Sequence, residues 1–600
     1  MKRSTLSYPG EKWALRITLN PEAAQGELLQ IDASDQTFLT LTSAENHVEA
    51  RLIARLEPNP LFPGKDHMEF LLTTELIPKS LSIEWHEFSV RLYADGTLAD
   101  EDWPLGYLPR EDWTIEWADE ACGYVICLPD ELLSDRTSQF TGPMQYFTWP
   151  GHNTGVGDCM PFSRDGRYCL YYLFDRRGHR SKGGLGAHQW AQISSDDLRN
   201  WTLHPMAVPI TQQWEGSICT GSLIQKDGET YAFYAARMSD GSPARLTWAV
   251  SKDGVHFKKS EQYFALTAPY EPVSARDPMV FLGANGQYHM LVTTSLADGG
   301  AYGGCLAHLV SADLTGWTQL EPLIVPGYAD QPECSDYFEW NGWYYLVFSN
   351  FAVARYHMSR EPFGPWIAPA SDILDTVEDQ VVKTAAFKDR RLMTGFLARY
   401  PRTYAGHAVT HELYQRADGT LGVKFVPEIL PAFADKLPVN DIHVENTEGR
   451  SAVELASDIN GFRLRANLRL IGEAAIGGIS LMQNENEYQV NFDPSDDRID
   501  REHRIDFNPA ARLISITRPD QYFRMGDPRL QITGIDMSDM FNIDLIIYRD
   551  ILDMVLSNGR AMTMRLSDDL SSGLTLRMYA QNGTLSLTNI TLEPIKLNVN

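Results

Sequence analysis

The chain has 600 residues, 43% hydrophobic and 22% charged, proportions that exclude a disordered polypeptide and imply about three domains. Its 52 Lys and Arg against 79 Asp and Glu leave a net charge of −27, a field that repels nucleic acid and anionic membranes and argues against both as partners. No apolar stretch follows Met1-Lys2-Arg3 and no run of about 18 apolar residues occurs, so neither a secretory signal nor a membrane span is expected.

Short alternating strands punctuated by Gly, Asp, Asn and Pro run through the whole chain, which predicts an all-β protein. Residues 1–140 carry segments such as Trp13–Leu19 and Glu87–Tyr93 that alternate strictly, the pattern of a β-sandwich with one face inside. Residues 145–430 repeat themselves. A turn dipeptide followed by an aromatic-rich strand recurs at Asp165-Gly166, Asp227-Gly228, Asn285-Gly286 and Asn341-Gly342. Each copy continues into a Ser-x-Asp turn and an aromatic residue: Ser194 to Trp201, Ser251 to Phe257, Ser311 to Trp317 and, more weakly, Ser359 to Trp366. A degenerate fifth copy follows from Phe387 to Phe396. Repeats of this length, each holding about four short strands, predict a five-bladed β-propeller. Residues 431–440, with two prolines, read as a linker, and residues 441–600 return to short strands as a C-terminal β-sandwich. The seven Cys are scattered and lack paired zinc-finger spacing; they read as reduced thiols, which points to a cytoplasmic protein.

Propellers gather ligands where the innermost strands of several blades converge. Three acidic residues stand before hairpin turns of successive repeats: Asp158 in Gly157-Asp158-Cys159, Asp277 in Arg276-Asp277-Pro278, and Glu333 in Glu333-Cys334-Ser335-Asp336. Taken singly, each reads equally as an Asx-turn or a structural ion pair. Three in phase point to one axial pocket. Clustered carboxylates whose protonation states are pushed apart suit glycoside hydrolysis. Calcium is the rival use, but no closely spaced Asp ladder resembles a calcium loop, and no metal or cofactor is expected.

The pattern resembles glycoside hydrolase family 32, the invertase, inulinase and levanase group. Arg276-Asp277-Pro278 is similar to that family's Arg-Asp-Pro motif, Glu333 to Asp336 to its Glu-Cys-Pro-Asp motif with Ser335 in the proline's place, and Cys219 to Ser222 to its Ser-Gly-Ser segment. His188-Gln189-Trp190-Ala191 resembles its Trp-containing strand, and Ile543 to Ala561 resembles the signature of its C-terminal sandwich. The resemblance implies a retaining β-fructofuranosidase acting on short oligosaccharides, capable of fructosyl transfer, with Asp158 as nucleophile, Glu333 as acid/base and Asp277 as transition-state stabiliser. It further implies substrate contacts from Arg276, His188, Gln189, Trp190, Thr220 and Ser222. Trp149 and Trp214 join Trp190 as aromatic candidates for stacking on a sugar. Two departures stand out: Gly157 replaces the Asn before the family's nucleophile, and Leu173 falls approximately where the family has Gln. His152, Asn153, His179 and His188 are candidate replacements. The first 140 residues lie outside the resemblance; they suit sugar binding or a homo-oligomer interface alike. Rival readings are an inverting arabinofuranosidase-type enzyme and a non-catalytic carbohydrate-binding propeller.

Overall fold

The structure is a computed structural model that describes residues 1–34, 36–58, 64–86, 89–102, 106–127, 132–141, 143–148, 155–175, 188–212, 214–238, 240, 242–376, 378–398, 404–473, 475–483, 502–517, 531–533, 537, 539–557, 559–566 and 573–596. The described residues are built from strands and short 3-10 turns, and no helix among them is long and apolar enough to cross a membrane.

At the N-terminal end, a six-stranded and a five-stranded antiparallel sheet share one core. The alternation of Lys12–Leu19 turns Leu15 and Ile17 inward against Leu29, Ile31, Leu39 and Leu41 of the other sheet, while Thr18 is exposed. Trp13, Trp85 and Trp113 fill the middle of this core. Of the second alternating segment, the structure describes the strand Ser89–Ala94; Glu87 and Phe88 lie outside the described residues.

Five propeller blades then follow, with innermost strands Gly155–Arg164, Glu215–Lys226, Arg276–Leu282, Glu333–Trp340 and Asp379–Phe387; blades I and V are joined in one nine-stranded sheet. Ser138–Thr141 adds an outer strand to blade I by pairing with Asn200–Leu203. Blades I and V meet where Val156 pairs with Gly406.

The turn chemistry accounts for the repeat. Asp165, Asp227 and Asn341 all have φ near 50° and are each followed by a glycine of positive φ, the geometry of a two-residue type I′ hairpin. The third copy differs. Leu282 pairs with Tyr288, leaving a five-residue loop in which Gly286 has positive φ and the Asn285 carboxamide accepts the Gln287 N–H. In the Ser-x-Asp turns, Ser195, Ser251 and Ser311 each accept a backbone N–H three residues on, and Asp197, Asp253 and Asp313 each accept two more. These are local side-chain substitutes for a backbone turn.

The C-terminal region is a single hydrogen-bonded ladder folded on itself. The 21-residue strand Leu574–Pro594 pairs with Ile476–Gln483 along its first half and with Gly461–Ile471 along its second. Both halves turn side chains into one core, including Leu464, Leu468, Ile479 and Ile505. Residues 431–440 run beside this long strand, with Ala434 and Leu437 donating to the carbonyls of Pro594 and Leu592.

Candidate active site

Near the start of each innermost strand the pairing with its neighbour slips by one residue, between Val156 and Cys159, Ile218 and Gly221, Arg276 and Met279, Glu333 and Asp336, and Gln380 and Lys383. A β-bulge takes a residue out of the ladder and re-aims its side chain. In blades III, IV and V the first bulge residue is left-handed: Asp277 at φ 54°, Cys334 at 51° and Val381 at 54°. These are uncommon values away from glycine, and a β-branched residue such as Val381 adopts them only under constraint. The near-equal spacing in the sequence suggested equivalent positions for the three carboxylates. They occupy three successive ones instead: Glu333 precedes its bulge, Asp277 is the first bulge residue and Asp158 the second. The bulges allow neighbouring register positions to contribute to one cluster.

Asp158 is the most heavily bonded of the three. It accepts hydrogen bonds from the Tyr404 hydroxyl at 2.8 Å, from the Thr220 hydroxyl, and from the Cys334 thiol at 3.5 Å. Its own N–H donates to the Tyr404 oxygen at 3.1 Å. Asp277 is 3% exposed and accepts the Cys334 N–H at 3.1 Å, with Arg276 Nε 3.7 Å away. Glu333 accepts from Arg276 Nη2 at 2.7 Å, and its side chain keeps 34% of its surface exposed. Burial pushes the Asp277 carboxyl above its usual range; Arg276 and Lys383 oppose this and the charge of Asp158 adds to it. Burial likewise raises Glu333, with Arg276 opposing and Asp277 and Asp158 reinforcing. Desolvation works against the charged Arg276 guanidinium, but the two adjacent carboxylates outweigh it and hold it protonated. Groups of like charge in a shared, partly dry site separate into ionised and protonated members, the condition for acid and nucleophile to coexist.

Arg276 is itself fixed. Nη1 donates to Gln331 Oε1 at 2.6 Å and to the Ser274 carbonyl at 2.9 Å, while Gln331 is anchored on the Ser274 and Ser295 hydroxyls. Lys383, buried, donates to the Gly221 carbonyl at 2.7 Å and ties blade V to blade II beneath the carboxylates. Asp336 accepts from both the N–H and the hydroxyl of Thr384, joining blades IV and V. Tyr404, Gln331, Lys383 and the Cys334 backbone are the site residues that sequence reasoning did not find.

Other expected contacts are placed differently. Trp190 is fully buried, donates through Nε1 to the Cys219 carbonyl and packs between Tyr171 and Tyr234, so it offers no face to a sugar. Gln189 is 1% exposed and caps the Ile210 N–H. Ser222 accepts from the Val280 N–H and donates to the Pro278 carbonyl, which stitches blade II to blade III. These three are packing residues. Trp214 lies under Arg245, whose guanidinium is 4.3 Å from its ring. Leu173 is buried within blade I. Thr220 does reach the site, through Asp158. The His188 ring stacks on Tyr404 at 4.7 Å and so supports a partner of Asp158. Trp149, His152, Asn153 and His179 lie outside the described residues.

The glycine at 157 has a reason. A Cβ there would sit 2.8 Å from Cε1 and Cζ of Tyr404. Tyr404 thus occupies the space a side chain at 157 would need, and its hydroxyl supplies a polar contact to Asp158. Removing that hydroxyl with Tyr404→Phe should lower kcat/KM about 10- to 100-fold, the worth of a hydrogen bond to a charged group. Gly157→Asn should destabilise the protein when Tyr404 is present and be tolerated beside Tyr404→Gly. A thermal-melt double-mutant cycle reads this coupling.

Residues 160–361 match the model of the glycosyl hydrolases family 32 N-terminal domain. The matched segment contains Arg276, Asp277 and Glu333, and Asp158 lies just before it. A Psychromonas ingrahamii protein described as a probable sucrose-6-phosphate hydrolase is 27% identical over 294 residues, 45% of this chain and 51% of that protein. A levanbiose-producing levanase of Geobacillus stearothermophilus is 33% identical over 103 residues, 17% of this chain and 23% of its own length. The chain thus spans about half the length of the first of these relatives and less of the second. In fold, it is similar to fructan 1-exohydrolase IIa from Cichorium intybus, with a TM-score of 0.60 at 16% identity over 77% of this chain and 98% of that one. It is also similar to a Bombyx mori GH32 beta-fructofuranosidase, with a TM-score of 0.54 at 15% identity over 77% and 94%.

Proposed function

We propose that this chain, which belongs to glycosyl hydrolase family 32, releases terminal fructofuranosyl units from short fructosides by a retaining double displacement. The observation that carries this reading is the convergence of Asp158, Asp277 and Glu333 from three blades, linked by Arg276 and Cys334.

Asp158, held by three donors, attacks the anomeric carbon and forms a covalent furanosyl-enzyme. Glu333, whose hold on a proton is strengthened by burial, gives that proton to the leaving oxygen; the resulting carboxylate, steadied by Arg276, then takes a proton from the incoming water. Its partial exposure leaves room for that water and for the leaving sugar. Asp277, fixed by the Cys334 N–H, lies against the sugar and stabilises positive charge as it develops on the ring. A sugar hydroxyl in place of water gives transfer.

Free thiols at all six described cysteines suit a reducing compartment, where small imported sugars rather than polymers are met. The test is fructose release from sucrose, sucrose 6-phosphate, inulobiose and levanbiose, with the anomer first formed read by NMR. We expect release from at least one of the four, with retained configuration. Inverted product would overturn the mechanism, and no release by folded protein from any of them would overturn the fructosidase reading.

A further inference from the structure

Blade V and the C-terminal sandwich meet around four buried residues that the proposed reaction does not use: Asp375, Asp379 and His411 from the propeller, and Asp553 from the sandwich, each at most 1% exposed. Asp553 is fully engaged. It accepts His411 Nε2 at 3.0 Å, Gln145 Nε2 at 2.8 Å and the Tyr146 hydroxyl at 3.0 Å. Asp375 accepts the N–H groups of Thr376 and Thr563 at 2.6 and 2.7 Å and the Thr563 hydroxyl at 2.7 Å. Two groups are left over: among the described residues, His411 Nδ1 and both carboxylate oxygens of Asp379 have no hydrogen-bond partner. One ligand atom each from Asp375, Asp379 and His411 lies within 4.8 Å of the other two. A buried carboxylate with neither oxygen paired is costly, and a native fold supplies it with a proton or a cation.

We propose that Asp375, Asp379 and His411 bind a divalent metal ion at the seam between blade V and the C-terminal sandwich, whose Thr563 and Asp553 hold two of these ligands by hydrogen bonds. Three features of the cluster support a metal. The first is the imidazole. With Nε2 hydrogen-bonded to the Asp553 carboxylate, Nδ1 is the nitrogen left to ligate, the carboxylate–histidine–metal arrangement in which an outer acid orients a ligating ring. The second is charge. Three carboxylates share this space with one imidazole, and among the described residues no Lys or Arg forms an ion pair with any of them, so a dication balances what the protein leaves unbalanced. The third is room. A Cβ on Gly395 would lie 2.5 Å from Asp379 Oδ1, so the absence of a side chain there keeps space beside this carboxylate.

One nitrogen and two carboxylates favour zinc or manganese over calcium and magnesium, which prefer all-oxygen shells. Around zinc, bonds of about 2.0–2.1 Å place tetrahedral ligand atoms about 3.3 Å apart. Modest side-chain movement brings the three together, with the second Asp379 oxygen or a water as fourth ligand. The ion would be structural, since the site is closed and all three ligands are buried. This departs from the metal-free protein that the sequence suggested.

The test uses full-length protein purified without a metal-binding tag. Elemental analysis should find about one zinc or manganese per chain. Unfolding and refolding in chelator should lower the melting midpoint by about 5 °C or more, and stoichiometric Zn²⁺ or Mn²⁺ should restore it. Asp379→Asn, nearly isosteric, should lose the metal. A wild-type chain that carries no metal and whose melting responds to neither chelator nor added ion would overturn the proposal and leave Asp375 and Asp379 sharing a proton. Full metal retention in Asp379→Asn would overturn the ligand assignment. The wild-type measurements stand whether or not the variant folds, and neither depends on fructosidase activity.

Discussion

Asp158→Asn should lower kcat for fructose release by about 10³-fold or more while leaving the protein folded and the substrate bound. A carboxamide does not attack an anomeric carbon, so the covalent step is lost outright. Its surroundings are otherwise kept. The carboxamide oxygen still accepts one of the hydroxyls now on Asp158, from Tyr404 or Thr220, and the backbone N–H still donates to Tyr404. The other hydroxyl then faces an NH₂ group and turns to act as acceptor, since Ser, Thr and Tyr hydroxyls serve both ways. The melting midpoint should therefore move by only a few degrees, and calorimetry should still detect sugar binding. Activity above about a tenth of wild type would place the nucleophile elsewhere. Unlike Tyr404→Phe, which weakens the orientation of the same carboxylate, this substitution removes the reacting atom, and the two effects should differ by about tenfold or more.

The carboxylate trio was legible because it recurs. Each acid stands a short distance before a hairpin turn, and turns are local: Asp165-Gly166 or Asn341-Gly342 can be recognised without any tertiary contact. What holds the trio was not legible. Tyr404 comes from a connection in blade V with no periodic signature, and Gln331 acts through Arg276 of another blade. Even Gly157, visible as a departure from the family pattern, acquires its cause only when Tyr404 is seen in the space beside it. Trp190 and Gln189 were misread for a related reason. Their strand, Gln189–Ser195, is buried at every position because both its faces pack against other parts of the propeller, so no alternation separates pocket from core. The Asp375, Asp379, His411 and Asp553 cluster combines propeller and sandwich residues far apart in sequence, a juxtaposition that no spacing rule anticipates.

Glu333→Gln should lower kcat by about 10²–10⁴-fold on substrates with poor leaving groups such as sucrose, and by much less on an aryl fructoside whose leaving group needs no proton. That contrast separates an acid/base from a residue that merely shapes the pocket, since a structural defect would slow both substrates alike. The pH profile gives the sign. Burial lifts the Glu333 carboxyl above its usual range, so the protonated acid persists to higher pH and activity falls as pH rises through that raised value. Arg276 is the largest influence opposing the rise. Arg276→Gln should therefore lower activity, because Glu333 loses its 2.7 Å partner, and at the same time move the alkaline limb of kcat/KM to higher pH. A limb that moves to lower pH, or does not move, would mean that Glu333 is not the group whose deprotonation ends activity. In Glu333→Gln the limb should vanish. Because the aryl substrate bypasses the first proton transfer, its residual rate in this variant should become limited by hydrolysis of the furanosyl-enzyme, which still needs a base. Added azide, a nucleophile that needs none, should then restore turnover and yield a fructosyl azide of retained configuration, linking Asp158 and Glu333 as the two halves of one double displacement.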